Sequence, residues 1–208
     1  MQIAQHAWTK AGGWNALGGT GLAEAQLVFY FAAPDVWQAA APHAHLSALY
    51  PGAHIVGCTT GGEILGEDVY DHSIAATAIR FDAATVAVAT AEVAEASQSQ
   101  AGGRALAQAL PQAGLRAVFV LADGMRTNGS ALIAGLREIL PEGVVITGGL
   151  AGDGPDFRAT YVGCDAAPRQ GLAVAVGLYG QSLRIGWGSF GGWERFGPER
   201  QITRAAAN

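Results

Sequence analysis

Three glycine-rich segments combine an adaptable backbone with polar side chains, and both features suit the binding of small ligands. The segments span residues 57–63, 123–129 and 148–154, and each follows a run of β-branched and apolar residues that predicts a strand. Glycines let backbone N–H groups approach and bind an anion, while neighbouring carboxylates can hold an ammonium group. The set predicts a site for a small zwitterion such as an amino acid. The candidate ligand-binding residues are Cys58, Thr59, Thr60, Gly61, Gly62, Glu63, Asp123, Arg126, Asn128, Gly148, Gly149, Gly152 and Asp153.

Catalysis is a second interpretation of the same segments. Cys58 or Thr59 would act as a nucleophile near Glu63 or Asp123. An activated nucleophile needs a paired base, and neither half of the chain shows one. We therefore expect a binding protein rather than an enzyme, and we assign no catalytic residue.

Nucleotide and metal motifs give weaker signals. Residues 186–191 match the spacing GxGxxG, but no helical pattern or second strand follows them, so they do not predict a dinucleotide site. Two cysteines are too few for a structural zinc site, and no His-Glu-x-x-His run occurs. We expect no metal site.

The elements that must position these segments alternate between strands and helices. Hydrophobic patterns predict helices over residues 35–50, 97–110 and 130–140, with Pro42 either starting or kinking the first. Strands 73–81 and 85–91 are expected to pair, as are 158–164 and 172–179. Parallel strand–helix–strand units bind ligands beyond the carboxyl ends of their strands, where the glycine-rich segments lie. The predicted strands are 26–32, 53–58, 73–81, 85–91, 116–122, 144–147, 158–164, 172–179 and 183–187.

The two halves of the chain match when one is shifted by 90 residues. Phe29 then aligns with Phe119, Leu46 with Leu136, and Glu63 with Asp153, without a gap from Leu27 to Glu63. The pattern predicts an α/β fold of two similar strand-helix-strand-strand-strand halves, about 26–91 and 116–179, with mixed sheets and covering helices. An internal repeat would relate the halves. We expect all of these aligned apolar residues to share one core and both acids to occupy equivalent places.

Composition excludes several classes of protein. The chain has 208 residues, 50% of them hydrophobic and only 14% charged, so it is not a disordered linker. Twelve Lys and Arg against 17 Asp and Glu leave no basic stripe for nucleic acid. The chain begins without a secretory pattern, no apolar run approaches the roughly 20 residues of a membrane span, and two cysteines form no disulfide framework. We expect a cytoplasmic protein with no membrane partner.

The run 49–64, Leu-Tyr-Pro-Gly-Ala-His-Ile-Val-Gly-Cys-Thr-Thr-Gly-Gly-Glu-Ile, resembles the FIST family. Asp123-Gly124 and the glycine-rich run 148–154 support the resemblance, which covers about residues 24–180 and corresponds to an N-terminal FIST domain. We assign that domain to residues 1–180. Residues 181–208 look like a tail or the truncated opening of a C-terminal FIST domain.

This resemblance implies a sensory domain of bacterial signal transduction that binds a small molecule, amino acids among the ligands. The implied partners are a histidine kinase or a cyclic-dinucleotide signalling protein. The NosP-type subgroup of the family binds haem and senses nitric oxide, which keeps a haem sensor as the alternative. The available axial donors are His43, His45, His54, His72 and Cys58, and the sequence singles out none of them.

Overall fold

The computed structural model describes residues 1–19, 22–186, 188, 191 and 196–204. Within them the helices are α1 (Trp37–Ala40), α2 (Pro42–Leu49), α3 (Ser99–Ala109) and α4 (Gly129–Arg137), with a 3-10 turn at Ala96–Gln98. No helix in these ranges is long and apolar enough to cross a membrane. The strands are β1 (Gln2–Thr9), β2 (Gly13–Gly18), β3 (Leu27–Ala32), β4 (His54–Thr59), β5 (Glu63–Leu65), β6 (Asp68–Tyr70), β7 (Ser73–Arg80), β8 (Thr85–Glu92), β9 (Leu115–Ala122), β10 (Val145–Leu150), β11 (Val162–Cys164) and β12 (Leu172–Tyr179).

The strands form two mixed sheets and one separate hairpin. The first sheet has the order β11-β4-β3-β7-β1-β2, the second has the order β10-β9-β12-β8, and β5 pairs with β6. β3 runs parallel to β4 and β9 parallel to β10, whereas the other pairs are antiparallel. The predicted α/β class with mixed sheets is confirmed.

The two sheets face each other and carry helices on their outer faces. Phe29 of β3 and Phe119 of β9 meet between the sheets, with ring centroids 4.8 Å apart. Residues of α1 and α2, Leu46 among them, pack on the outer face of the first sheet. Leu106 of α3 and Leu136 of α4 pack on the outer face of the second. Apolar side chains that alternate along each strand therefore fill three layers of core.

The first helical region is interrupted at Ala41, which has a left-handed φ of 42°. Pro42 then occupies the first turn of α2, where its missing N–H group costs no hydrogen bond. Of the two outcomes predicted for Pro42, the structure shows that a helix starts there.

Helices α3 and α4 approach each other through glycines. A Cβ atom on Gly103 would lie 2.1 Å from the carbonyl oxygen of Leu132, and one on Gly135 would lie 2.0 Å from that of Gln100. Only glycine fits at such a close backbone approach. Glycine lowers helix propensity in α3, but it permits the packing that buries the apolar face of the helix.

Two predicted strand pairs are wrong. β7 and β8 lie in different sheets, because the chain crosses from the first to the second at Asp82. β11 pairs with β4 at the edge of the first sheet, whereas β12 lies in the second. Short connections usually join paired strands, but here they join stacked sheets, which sequence patterns do not distinguish.

Three further differences concern the core and the ends of the described chain. Leu46 and Leu136 are buried in separate clusters, not in one shared core, because each covers its own sheet. The hairpin of β1 and β2 was not predicted. Residues 183–186 form no strand, and Trp187, the last residue of that predicted strand, lies outside the described residues.

The two sheets share a strand order. The order β4-β3-β7-β1 and the order β10-β9-β12-β8 have the same strand directions, and β4 and β10 each follow a helix. A duplication would produce this correspondence. The internal repeat stays a prediction, because its test is a superposition of the two units.

Candidate functional site

A pocket of about 370 Å³ lies where four loops meet, and we call it the acidic pocket. Its lining comes from residues 33–35, 60–63, 71–72 and 153–156. Residues 33–35 and 60–63 follow β3 and β4, which are parallel and end at the same edge of the first sheet. Residues 71–72 precede β7, which is antiparallel and therefore starts at that edge.

The fourth loop, residues 153–156, follows β10 of the second sheet. It packs directly on the loop that follows β4 in the first sheet. Gly152 donates its N–H group to the carbonyl oxygen of Thr59 at 2.9 Å. A Cβ atom on Gly61 would lie 3.3 Å from the Cα atom of Gly154, so the two loops touch through their glycines. The predicted meeting of the segments 57–63 and 148–154 is what the structure shows.

Glu63 is the most deeply buried carboxyl group of the pocket. The residue is only 1% exposed, and its Oε1 accepts a hydrogen bond from the Thr60 hydroxyl at 2.7 Å. Oε2 accepts from the Ser73 hydroxyl at 2.8 Å. Burial raises the pKa of Glu63; the two hydroxyl bonds lower it in part, and the nearby Asp71 raises it further. Glu63 is a desolvated acceptor with lone pairs to spare.

Asp153 has a different role, although it aligns with Glu63. Its carboxylate accepts hydrogen bonds from the backbone N–H groups of Phe157, Arg158 and Ala159. Burial raises the pKa of Asp153, but these backbone bonds together lower it more, so the net shift is downward. The ionised carboxylate thus holds the loop 153–159 in shape at the rim of the pocket.

Charges in the acidic pocket are predominantly negative. Asp35, Asp71 and Asp156 line it beside Glu63 and Asp153, and its described lining contains no lysine or arginine. His72 is bonded through Nδ1 to Asp35 at 2.7 Å. An ammonium group would find several carboxylate oxygens here.

Backbone donors lie beside these acids. Among the described residues, the N–H groups of Gly61 and Gly62 donate to no backbone or side-chain atom. Gly62 has a φ of 149°, a conformation that only glycine adopts without strain. Two free donors within one turn of chain can bind a carboxylate group of a ligand.

Asp123, Arg126 and Asn128 do not reach the acidic pocket. Asp123 is fully buried and accepts from the N–H groups of Met125 at 2.9 Å and Gly171 at 2.6 Å, and from the Thr160 hydroxyl. Its loop is therefore tied to the second sheet. In the sequence, Asp123 follows a strand, as a ligand-binding residue would. Only its tertiary contacts show that it has a structural role.

Arg126 and Asn128, which lie in the same glycine-rich segment as Asp123, also have structural partners. Arg126 donates to the carbonyl oxygen of Ala94 at 3.2 Å and to Oε1 of Gln170 at 3.0 Å. Asn128 caps α4 by accepting from the N–H group of Ala131 at 3.0 Å. The structure does not bring the predicted guanidinium to the carboxylates of Glu63 and Asp153.

Four other predicted residues face away from the acidic pocket. Cys58 lies in the core between the sheets, where burial raises the pKa of its thiol to about 12. The Thr59 hydroxyl accepts from the N–H group of Tyr161 at 3.0 Å. Gly148 and Gly149 lie within β10, and a Cβ atom on Gly148 would lie 1.9 Å from the carbonyl oxygen of Val120.

Thr60, Gly61, Gly62, Glu63 and Asp153 do come together, with Gly152 beside them. Sequence reasoning missed Asp35, Asp71, Asp156 and the bond from Ser73, and it considered His72 only as an axial donor for haem. Asp35 carried a signal, since it follows a strand that is parallel to β4. Asp71 and His72 carried none, because they lie at the start of an antiparallel strand.

The described histidines and cysteines do not fit a haem site. Five of the pockets formed by the described residues were compared for a histidine beside an apolar cleft, and of these five the acidic pocket alone has a histidine in its lining, His72. Carboxylates beside that histidine would repel the haem propionates, and haem needs an apolar cleft. His45 is stacked on Trp14, and His54 is bonded to Asp165. Nor do any three His, Cys, Asp or Glu side chains of the described residues lie together in a way that could hold a metal ion.

Comparison with protein families identifies the family of the chain. The model of the FIST N domain matches residues 26–208. The chain belongs to the FIST family. Comparison with curated proteins finds no match. FIST domains are sensory domains of signal-transduction proteins, which supports a sensory role for this FIST domain.

Proposed function

We propose that this FIST domain senses a small amino-acid-like molecule that binds in the acidic pocket. One observation carries the proposal: the carboxylates of Glu63 and Asp71 lie beside the free N–H groups of Gly61 and Gly62. An α-amino acid presents an ammonium and a carboxylate group a few ångströms apart. The pocket thus offers a partner for each of its two charges.

In the proposed binding mode, Glu63 accepts the ammonium group. The two hydroxyl bonds from Thr60 and Ser73 hold the carboxyl group in place and leave further lone pairs for a ligand. Because Glu63 is buried, a charged hydrogen bond to it is stronger than one at the surface. The ligand carboxylate binds Gly61 and Gly62, so their lack of side chains leaves room for it.

We favour binding over catalysis because the candidate nucleophiles are unsuited to reaction. A thiol with a pKa near 12 is protonated at neutral pH, and only the thiolate is nucleophilic. The Thr59 hydroxyl is buried and lies against the backbone of Tyr161, with no base bonded to it among the described residues.

Thermal unfolding of the protein with a panel of free amino acids tests the proposal. A ligand that binds only the folded state raises the Tm in proportion to the logarithm of its concentration above its Kd. We expect at least one free amino acid to raise the Tm, and its N-acetyl derivative, which lacks the ammonium group, to have no effect. A panel that leaves the Tm unchanged, or an N-acetyl derivative that binds equally well, contradicts the proposal.

A pair of matched variants locates the site. Glu63→Gln replaces the buried carboxyl group with an amide and should abolish the ligand-induced rise in Tm. Glu67→Gln removes a charge from the exposed hairpin turn, outside the lining of the acidic pocket, and should preserve it. Equal responses of the two variants would place the ligand elsewhere.

Signal output remains a proposal that follows from the family resemblance. A histidine kinase or a cyclic-dinucleotide signalling protein is the proposed partner, with a cytoplasmic location. The proposed ligand, and not haem, is the input, since the acidic pocket suits a cation better than a haem propionate.

A further inference from the structure

The acidic pocket carries more negative charge than an amino acid with an uncharged side chain can balance. Its described lining includes five carboxyl groups and no lysine or arginine. An amino acid with an uncharged side chain has no net charge, because its ammonium group is offset by its own carboxylate. Like charges that share a site repel one another unless a cation lies among them. The surplus of carboxylates therefore favours a ligand with a net positive charge.

Three of these five acids are already matched. Asp35 is bonded through Oδ2 to Nδ1 of His72. Asp153 accepts the backbone N–H groups of three residues in its own loop. Glu63 is the group that receives the α-ammonium of the ligand in the proposed binding mode. The carboxylates that could select a side chain are therefore the remaining two.

Asp71 and Asp156 are those two, and neither carboxylate forms a hydrogen bond or an ion pair with another described residue. Asp71 lies near Glu63, whose pKa it raises, and its Oδ1 would be 3.9 Å from a Cβ atom on Gly62. Asp156 has no such effect on Glu63, and it belongs to the loop that follows β10 of the other sheet. The pocket thus has two negative centres, Glu63 with Asp71 and, separately, Asp156.

Apolar side chains line the pocket together with these two centres. Ala33 and Pro34 follow β3, and Pro155 precedes Asp156 in the chain. The methylene groups of a long cationic side chain can pack on such a surface while its charged end binds a carboxylate. The pocket volume of about 370 Å³ lies in the range of small-ligand sites, roughly 300–1,000 Å³.

We infer that the ligand of the acidic pocket is an amino acid with a cationic side chain, whose α-ammonium group binds Glu63 and Asp71 and whose side chain binds Asp156. This specificity rests on the proposed function and adds the class of ligand to it. A guanidinium or ammonium group forms charge-assisted hydrogen bonds with a carboxylate. An uncharged analogue of the same shape leaves Asp156 without a cation, so it should bind more weakly.

Thermal unfolding with matched pairs of amino acids tests the inference. L-Arginine and L-citrulline have nearly the same shape but differ in side-chain charge, as do L-lysine and L-norleucine. The cationic member of at least one pair should reach a given rise in Tm at about one-fifth or less of the concentration that its uncharged partner needs. Uncharged amino acids that bind as tightly or more tightly overturn the inference and leave the proposed function standing. A Tm that no amino acid raises contradicts the proposed function itself, and the inference with it.

A pair of aspartate variants locates the second cation. Asp156→Asn should bring the preference for the cationic member of the pair close to one, because a neutral amide does not attract its charge. Asp68→Asn, at an exposed residue of β6 outside the lining of the pocket, should keep the preference of the parent protein. The Tm of each variant without ligand shows that it is folded. A preference that Asp156→Asn leaves intact shows that the side chain does not bind Asp156, and the inference is then wrong.

Discussion

At the scale of single residues, a buried carboxyl group defines the acidic pocket. Glu63 is surrounded by the hydroxyls of Thr60 and Ser73, and Asp71 is the negative group that most affects it. The carboxylate of Asp153, which aligns with Glu63 in the sequence, accepts hydrogen bonds from backbone N–H groups instead. Two acids at equivalent places in the sequence thus have opposite pKa shifts, because one meets hydroxyls in a desolvated site and the other meets several N–H groups.

The raised pKa of Glu63 makes a prediction about stability. A carboxyl group whose pKa is higher in the folded state loses stabilising free energy as the pH rises from its ordinary value of 4.5 through the folded-state value. Glu63→Gln removes this loss. The free energy of unfolding of Glu63→Gln, relative to the parent, should therefore increase between pH 4 and pH 7, as measured by urea denaturation.

Glu67→Gln is the control for that series, because residue 67 is exposed in the hairpin turn. We expect its free energy of unfolding to follow that of the parent across the same pH range. A constant difference between Glu63→Gln and the parent would show that the folded protein does not shift the pKa of this carboxyl group.

Cys58 should be inert in the folded protein. It is 2% exposed, and burial raises the pKa of its thiol to about 12, so the thiolate is scarce at neutral pH. Iodoacetamide at pH 8 should label Cys58 only as fast as the protein unfolds, as measured by mass spectrometry of its peptide. Labelling at the rate of a free thiol would restore the interpretation of Cys58 as a nucleophile.

At the scale of elements, the contact between α3 and α4 depends on two glycines. Gly103→Ala should destabilise the protein by about 1–3 kcal/mol, because the added methyl group would clash with the backbone at Leu132. Helix propensity alone predicts the opposite sign, a gain of about 1 kcal/mol. Chemical denaturation separates the two outcomes. Gly52→Ala is a suitable control, since its Cβ atom would meet no atom within 4 Å.

The elements were predictable to the extent that their patterns are local. The runs now seen as β3, β4, β9 and β12 were found because buried strands are apolar along their length. The placement of β7 and β8 in different sheets was not predicted, because the short connection at residues 81–84 does not show whether the chain reverses within one sheet or crosses to another. β1 and β2, with the polar residues Gln2, His6 and Asn15, lacked a continuous apolar run.

The site was predictable for the same reason and within the same limit. Thr60–Glu63 and Asp153 follow strands that end at one place, which the strand–helix–strand pattern indicated. Asp123 follows a strand too, but its bonds to Thr160 and Gly171 depend on residues far along the chain. No local sequence pattern distinguishes a carboxylate that can bind a ligand from one that forms hydrogen bonds between loops.

At the scale of the whole molecule, the two sheets are held together by the layer of side chains between them. Phe29 and Phe119 form its clearest pair. A double-mutant cycle with Phe29→Leu and Phe119→Leu should give a coupling free energy of about 0.5–1.5 kcal/mol, the range for aromatic pairs. Unfolding by urea measures it. Strictly additive effects would show that the rings do not interact in solution.

β1 has a consequence for synthesis on the ribosome. β1 lies inside the first sheet, and it pairs with β7, which ends at Arg80. The inner face of that sheet is covered by β12 of the second sheet. β12 ends at Tyr179 and is therefore synthesised some hundred residues later. At about 5–20 residues per second the nascent chain exposes Phe29, Val56 and their neighbours to water for roughly 5–20 s. During this interval a growing chain is open to chaperones and to other nascent chains, so its yield in cells should respond to translation speed.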